Sequence, residues 1–427
     1  MDDALNVTEK APEDNSIYSE DYFPFNPING TDCNNPGVIQ INIENQDEYF
    51  RPSKSWLEIE GKLVKHDGTR YLVGDSATLA NNGILNCFSN IKYQLGGNEI
   101  ESINHPGQAT LMLGLLKYDA SYSGLSQCWQ PDDLAVVADN TGFQKRRGFI
   151  FNASAQPNNI GSFSFAVDLE HIFGFAEDYD KVVYGMRHSL QLNRKANDND
   201  AIYRTAAAHA GKVEITKITW WMARVVPSFS ESSRLNKLIL DDKIILDSWF
   251  RVRQCAMVSV PVGSTSFTWN LGVKTEKPRY VIIGLQTAKD ENQEQNAALF
   301  DHQNVTNMKV RINSQEYPSI DVNSSFPLNH IAGWYRRLKE FKSTFYGVDK
   351  MVSSTCVDAK TYKDLYPLFV FDVSRQSEKM GNSTVVDLSV KMTTATPVPA
   401  NTNAFSLVIS DRKIQFKVDG KRAVVLF

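Results

Sequence analysis

Seven histidines, at His66, His105, His171, His188, His209, His302 and His330, are the natural starting place for metal or acid–base chemistry. None stands in an HxH, HxxH or HExxH pattern, so the minimal ligand spacing of a cupin-type or zinc-hydrolase centre is missing. The acid–imidazole neighbours Asp301-His302 read as a surface turn. Neither a GxSxG elbow, nor a GxxxxGK[ST] loop, nor a GxGxxG opening a helix occurs. Gly96-Gly97 sits between two strand-like runs, whereas a phosphate cradle needs a following helix whose first amides face the anion. The pair suits the positive φ values of a hairpin turn instead. Two acidic clusters, Glu177, Asp178 and Asp180 in AEDYD and Asp198 and Asp200 in NDND, lack the alternating register, glycine and closing glutamate of a calcium loop. They read as solvated loops. No carboxylate pair is singled out for glycoside chemistry. Adjacent strand residues face opposite sides, so Trp220-Trp221 implies one indole in the core and one toward a neighbouring subunit; a sugar-stacking platform is the competing reading. No catalytic residue, cofactor or metal is expected.

The elements that would carry these residues begin with the balance of the chain. At 427 residues it exceeds one ordinary core and implies two domains of roughly 200 residues. Apolar residues at 42% and charged residues at 22% describe a globular protein. A formal charge of −4, from 45 basic and 49 acidic residues, argues against a protein that holds nucleic acid through a basic surface. The short basic run Lys145-Arg146-Arg147 reads as a solvated loop. Five scattered cysteines, with no CxxC spacing, suit a reducing compartment better than a disulfide framework. The first residues, MDDALNVTEKAPEDNSIYSED, show no secretory pattern, and no apolar run approaches the roughly 20 residues needed to span a bilayer.

Residues 1–30 are acidic and nearly free of apolar periodicity, and read as an N-terminal arm that is flexible or ordered only against a neighbour. Beyond them, runs such as VIQINIE (Val38–Glu44), SWLEIEGKLV (Ser55–Val64), SFTWNLGV (Ser266–Val273) and KIQFKVDGKRAVVLF (Lys413–Phe427) alternate with period two, the mark of half-buried strands. Asp419-Gly420 predicts a tight hairpin in the last of these. Many short strands with polar turns predict an all-β chain of sandwiches. Two helices interrupt them. PGQATLMLGLLKY (Pro106–Tyr118) opens on proline, and NHIAGWYRRLKEF (Asn329–Phe341) has Asn329 as a cap and Ile331, Trp334, Leu338 and Phe341 at helical spacing. Each helix follows one copy of a repeated hairpin. FSNIKYQLGGNEIES (Phe88–Ser102) and VTNMKVRINSQEYPS (Val305–Ser319) align so that Asn90 meets Asn307, Lys92 meets Lys309, Glu99 meets Glu316, and Asn313-Ser314 replaces Gly96-Gly97. A repeated strand–turn–strand–helix unit predicts two similar domains, 31–232 and 233–427, with the boundary in Ser228–Leu238.

LANNGILNCFSNIKYQLGGNEIES (Leu79–Ser102), followed by its Leu-rich helix, resembles the strand–hairpin–helix signature of double jelly-roll major capsid proteins. The likeness is to those of polinton-type, adintovirus-type and virophage-like DNA viruses, and it is carried by Asn81-Asn82, Phe88, Ile91, Tyr93, Leu95, the Gly-Gly turn and Glu99. Stretches at Phe173–Arg194, Ile215–Ser228 and Pro278–Pro318 fit the same group. The resemblance implies two tandem eight-stranded jelly rolls with short helices in long loops. It further implies homotrimers of pseudo-hexameric outline that tile an icosahedral shell around double-stranded DNA. The implied partners are other copies of the chain, penton proteins and minor capsid proteins, without specific nucleic-acid binding; membrane contact is left open. The implied location is the virion, after synthesis inside the host cell. Asn90, Gly96, Gly97, Glu99, Trp220, Trp221, Asn307, Asn313 and Trp334 are the structural and assembly candidates. Two other readings compete: a tandem β-sandwich carbohydrate-active enzyme or lectin, such as a two-jelly-roll amidase, and an intracellular β-sandwich scaffold.

Overall fold

A computed structural model describes residues 16–28, 32–45, 47–122, 124–151, 159–238, 245–273, 277–313, 315–351, 353–375, 387–419 and 422–426. In the first half, strands β1 (Ile17–Phe25), β2 (Gly37–Ile43), β3 (Tyr49–Lys65), β4 (Ala77–Leu79), β5 (Phe88–Leu95), β6 (Asn98–Asn104), β7 (Ser162–Asp168), β8 (Val183–Tyr184), β9 (His188–Arg194), β10 (Ile202–Arg204) and β11 (Gly211–Pro227) build two main sheets. One runs β1-β11-β3-β7, with β8 added on β3; the other runs β2-β9-β5-β6. β4 and β10 pair separately. The second half holds β12 (Leu246–Ser259), β13 (Ser266–Asn270), β14 (Pro278–Thr287), β15 (Val305–Ile312), β16 (Gln315–Tyr317), β17 (Phe369–Asp372), β18 (Leu388–Thr394), β19 (Thr402–Asp419) and β20 (Arg422–Leu426). Its sheets run β12-β19-β14-β17, with β20 on β19, and β13-β18-β15-β16.

Numbering only the eight framework strands of each half, both halves have the same order: 1-8-3-6 in one sheet and 2-7-4-5 in the other. That is the double Greek key of a jelly roll, written twice in one chain. The apolar faces of all four main sheets meet in one continuous core.

The duplication is kept to the residue in the fourth strand. β5 and β15 begin and end 217 residues apart, as do Asn90 and Asn307 within them. Lys92 binds Glu99 at 2.8 Å across the first hairpin, and Lys309 binds Glu316 at 3.1 Å across the second. The turns agree as well. Gly96 has φ 57° and Gly97 has φ 87°, while Asn313 holds φ 51° at the position of Gly96. Asparagine tolerates the left-handed region where β-branched residues do not. Gly96→Asn should therefore unfold at the wild-type urea midpoint, and Gly96→Val should lose about 1–2 kcal/mol. Ser314 and Gly420 lie outside the described residues; the latter belongs to the expected Asp419-Gly420 turn, whose flanks pair Asp419 with Arg422.

Three expectations need correction. The arm expected over residues 1–30 contains the first strand of the first roll, since β1 pairs with β11 from Ile17 opposite Pro227 to Phe25 opposite Trp220. An edge strand exposed along most of its length carries no period-two pattern to betray it. Lys145-Arg146-Arg147 lies in α3 (Thr141–Ile150), not a solvated loop. Arg146 is buried there, paired with Asp132 at 2.8 Å and bonded to the Leu79 carbonyl at 3.0 Å. The second interrupting helix runs Ala332–Phe345, and Asn329 is not its cap. Asn329 has φ 58° and its side chain accepts from Lys363 instead. The remaining helices used below are α1 (Gly83–Asn86), α2 (Pro106–Lys117), α4 (Leu169–Ile172), α5 (Gly174–Asp178), α6 (Phe229–Asn236), α7 (Ala332–Phe345) and α8 (Ala359–Asp364).

Candidate assembly sites at the joint and on the outer sheet

The joint between the rolls is built on an edge strand. β12 begins the sheet of the second roll, so among the described residues one row of its backbone groups has no strand to pair with. Carboxylates of the first roll supply acceptors. The Arg253 N–H donates to Glu101 at 2.8 Å and the Arg251 N–H donates to Asp178 at 2.8 Å. Glu101, fully buried on β6, also accepts the N–H groups of Gly174 and Phe175 at 3.2 and 3.0 Å. α5 can lie this close only because its first residue is glycine: a Cβ on Gly174 would stand 1.8 Å from the Arg251 carbonyl oxygen.

The arginine side chains complete the joint. Arg253, 2% exposed, donates to the carbonyls of His171 and Glu170 at 2.8 and 3.1 Å and to the Glu177 carboxylate at 2.6 Å. Arg251 pairs with Asp178, donates to the Phe345 carbonyl at 2.8 Å and lies over the Phe345 ring at 3.9 Å. Glu177 further binds Lys117 at 2.8 Å and accepts from Tyr346 at 3.2 Å. Burial alone would raise the Glu177 carboxyl, but Arg253 and Lys117 outweigh it and hold the group down at about 2. For Glu101, burial is the larger effect and pushes its carboxyl up against Arg253 and the backbone donors.

Apolar and further polar contacts extend the joint. Phe175 meets Phe250 edge-on at 5.3 Å, Tyr179 meets Phe416 at 5.6 Å, and Arg412 donates to the Ile100 carbonyl at 2.7 Å. Lys342 pairs with Asp119, Asn296 donates to Asp132 at 2.9 Å, and Gly211 donates to Gln293 at 3.0 Å. The acidic clusters are thus not idle solvated loops. Glu177 and Asp178 bind the second roll, Asp180 binds Arg51 at 2.7 Å, Asp198 pairs with Arg194, and Asp200 pairs with Lys195 and accepts from the Glu291 N–H. Among the described residues, no group of three or more His, Cys, Asp or Glu is placed to hold a metal ion.

Two histidines beside these elements give the first roll an acid sensitivity. His171 reaches Tyr118 at 3.1 Å and Asn82 at 3.2 Å; His188 reaches Tyr93 at 2.8 Å. Burial pushes both imidazoles down to about 3. The unfolded chain binds protons at these residues below about pH 6.5 while the folded chain does not, so stability is full above that pH and falls as the pH drops toward 3. At pH 5 each histidine should cost about 2 kcal/mol relative to pH 7.5. Urea unfolding at the two pH values measures this, and His188→Gln should remove about half of the difference.

The candidate residues do not gather into one site. Asn90 donates to Asn104 at 2.8 Å and to Ser102 at 3.0 Å within the first hairpin, and Asn307 accepts from the Val322 N–H at 3.2 Å near the second. Gly96, Gly97, Glu99 and Asn313 belong to the hairpin turns already described. Trp220 is buried in the first roll, edge-on to Tyr93 at 6.2 Å. Trp221 lies on the opposite face, stacked on Trp56 at 5.9 Å and donating to Glu58 at 2.8 Å. Tyr22 joins Trp56 at 4.6 Å, so an aromatic row crosses the outside of β1, β3 and β11. Trp334 is buried under α7, donating to Ser324 at 3.0 Å and edge-on to Phe369 and Phe371 at 5.2 and 5.6 Å. Asp301 pairs with Lys289 at 2.7 Å and His302 stacks on Phe326 at 4.5 Å, so this neighbour pair engages different partners. The joint residues Glu101, Arg251 and Arg253 escaped sequence reading. Their one signal was the charge of RVR inside an otherwise half-buried strand.

Two eight-stranded jelly rolls of one strand order, joined in tandem, define a double jelly-roll protein. Residues 77–414 match the family model described as the double jelly roll-like domain, and the chain belongs to that family. Its fold is similar to that of PBCV-1 VP54 as fitted into a reconstruction of the virophage Sputnik, with a TM-score of 0.60 at 10% identity, over 98% of this chain and 99% of that one. It is similar to the mavirus major capsid protein, with a TM-score of 0.54 at 12% identity over 99% and 93% of the two chains. A chain of the Sputnik virophage aligns with a TM-score of 0.56 at 10% identity over 99% and 91%. Among curated protein sequences, none matches the chain.

Proposed function

We propose that the chain is a major capsid protein whose homotrimers, pseudo-hexagonal in outline, tile an icosahedral shell around double-stranded DNA. The observation that carries this reading is the buried joint. It fixes two rolls of identical strand order side by side, so one chain offers two near-equivalent building blocks, and three chains offer six. A cyclic assembly needs two different faces that close on rotation, and a tandem duplication supplies them. The aligned relatives whose printed names say major capsid protein or virophage support the reading.

On this proposal the chain works as a structural element, not a catalyst, and needs no cofactor. Its domains are the residues ahead of β1, a first roll extending to about residue 232 and a second from about residue 233. Its partners are further copies of itself, then penton and minor capsid proteins, and its place is the virion after synthesis inside the host cell. No helix among the described residues is long and apolar enough to cross a membrane. Negative-stain images of the purified chain should show particles with six-lobed outlines; a field of two-lobed particles only would count against the proposal.

A further inference from the structure

We propose that the cavity between the β14–β15 connection and the end of α8 in the second roll binds a neutral saccharide unit. The cavity has a volume of about 340 Å³, within the range of roughly 300–1,000 Å³ common for small-molecule sites. It is lined by one roll alone and needs no second copy, so it stands or falls apart from the trimer reading.

Four of its polar residues are held from behind and still have hydrogen-bonding capacity unspent. His302 stacks on Phe326 at 4.5 Å, and Phe326 stacks in turn on Tyr362 at 6.5 Å. The His302 Nδ1 accepts the Asn304 N–H at 2.9 Å. Burial holds this imidazole below its usual range although Asp301 opposes it, so at neutral pH its one proton sits on Nε2. That N–H has no partner among the described residues. Gln303 and Asn304 spend amide N–H groups on Thr287 at 2.7 Å and Thr396 at 3.1 Å, which leaves both amide oxygens. Lys363 donates to Asn329, and an ammonium has further protons to give. The fifth group is the Asp364 carboxylate, exposed on the last residue of α8 and without a hydrogen-bond or ion-pair partner among the described residues.

This arrangement selects the class of ligand. A sugar hydroxyl both donates and accepts, so it suits a wall on which the donors His302 and Lys363 stand among the acceptors Gln303, Asn304 and Asp364. The charges of Lys363 and Asp364 cancel, and Asp301 is already paired with Lys289 at 2.7 Å, so the lining favours an uncharged molecule. An anion would meet the unpaired Asp364 carboxylate. A metal cation would meet an ammonium and an imidazole whose open nitrogen already carries a proton. The backbone adds a second sign: Gln303 and Asn304 have φ 46° and 50°, two adjacent non-glycine residues in the left-handed region. Strain of this kind gathers where a ligand is held. On the capsid reading, weak sites repeated over one particle add up by avidity.

Saturation-transfer NMR on the full-length chain tests the proposal, with the methyl glycosides of glucose, galactose, mannose and N-acetylglucosamine as neutral probes and glucuronate as an anionic one. At least one neutral probe should give a saturable signal, and glucuronate should bind more weakly. His302→Phe keeps a ring on Phe326 and removes the donor, while Asp364→Asn removes the charge from an exposed position. Each should weaken binding by about tenfold, as expected for one lost hydrogen bond. Lys212→Ala, in a separate polar cavity of the first roll, should leave binding unchanged. Melting curves of Asp364→Asn should match the wild type, which separates a lost contact from a lost fold. The assignment is overturned if no neutral probe gives a saturable signal, if glucuronate binds as well, or if the signal survives both substitutions or falls equally in Lys212→Ala. None of these results touches the capsid reading.

Discussion

Arg253→Ala is expected to lose about 3–5 kcal/mol of stability, the usual effect of removing one partner from a buried ion pair. The side chain is buried and bridges two backbone carbonyls and the Glu177 carboxylate, with Glu101 beside it. Alanine would leave two carbonyls without a donor and Glu177 with Lys117 as its remaining ion-pair partner. Because two rolls need not unfold together, the expected signature is an early transition in urea or heat rather than a uniform shift. Arg253→Lys should recover little, since one ammonium cannot reproduce a planar fork that reaches three acceptors. In the double variant with Glu177→Gln the losses should fall short of additivity by more than about 0.5 kcal/mol, because the residues share a network. A loss below about 1 kcal/mol for Arg253→Ala would show the joint to be as solvated as a surface pair.

Trp334→Glu should prevent the second roll from folding. The indole is fully buried between α7 and β17, and its one polar atom is satisfied by Ser324. A carboxylate placed there would lose its water, and the one nearby cation, the Arg337 guanidinium 5.7 Å from the centre of the indole ring, does not replace a hydration shell, so desolvation makes the change costly. Trp334→Ala should cost about 3–5 kcal/mol through the cavity alone, and Trp334→Phe should cost less because it keeps the aromatic contacts. Soluble expression, fluorescence and melting separate these cases. A Trp334→Glu chain that melts with the wild type would show α7 to be peripheral.

The sequence held the duplication in plain view and hid the joint. The hairpin repeat was legible because turn chemistry is local: Gly96 and Asn313 both serve a left-handed position, and Lys92–Glu99 and Lys309–Glu316 both close a short strand pair. Trp334, Leu338 and Phe341 were legible because helical spacing reports a buried stripe. β1 was not, because no residue along it is buried, so it carries no alternation of buried and exposed positions. Glu101, Arg253 and Glu177 were not, because their meaning depends on contacts between residues far apart in the chain. Read alone, an acidic AEDYD segment looks solvated; only the docked second roll shows its charges to be spent. Trp220 and Trp221 stand between these cases: strand alternation placed one inside and one outside, while the outer one's stacking on Trp56 and its bond to Glu58 depend on strand register.

The most direct test of the capsid account is the mass of the full-length chain in solution at neutral pH, by native mass spectrometry or light scattering over a range of concentrations. The account predicts a species of three times 48.1 kDa that persists on dilution. A monomer at 48.1 kDa across the whole range, with no larger species or particle, would contradict it.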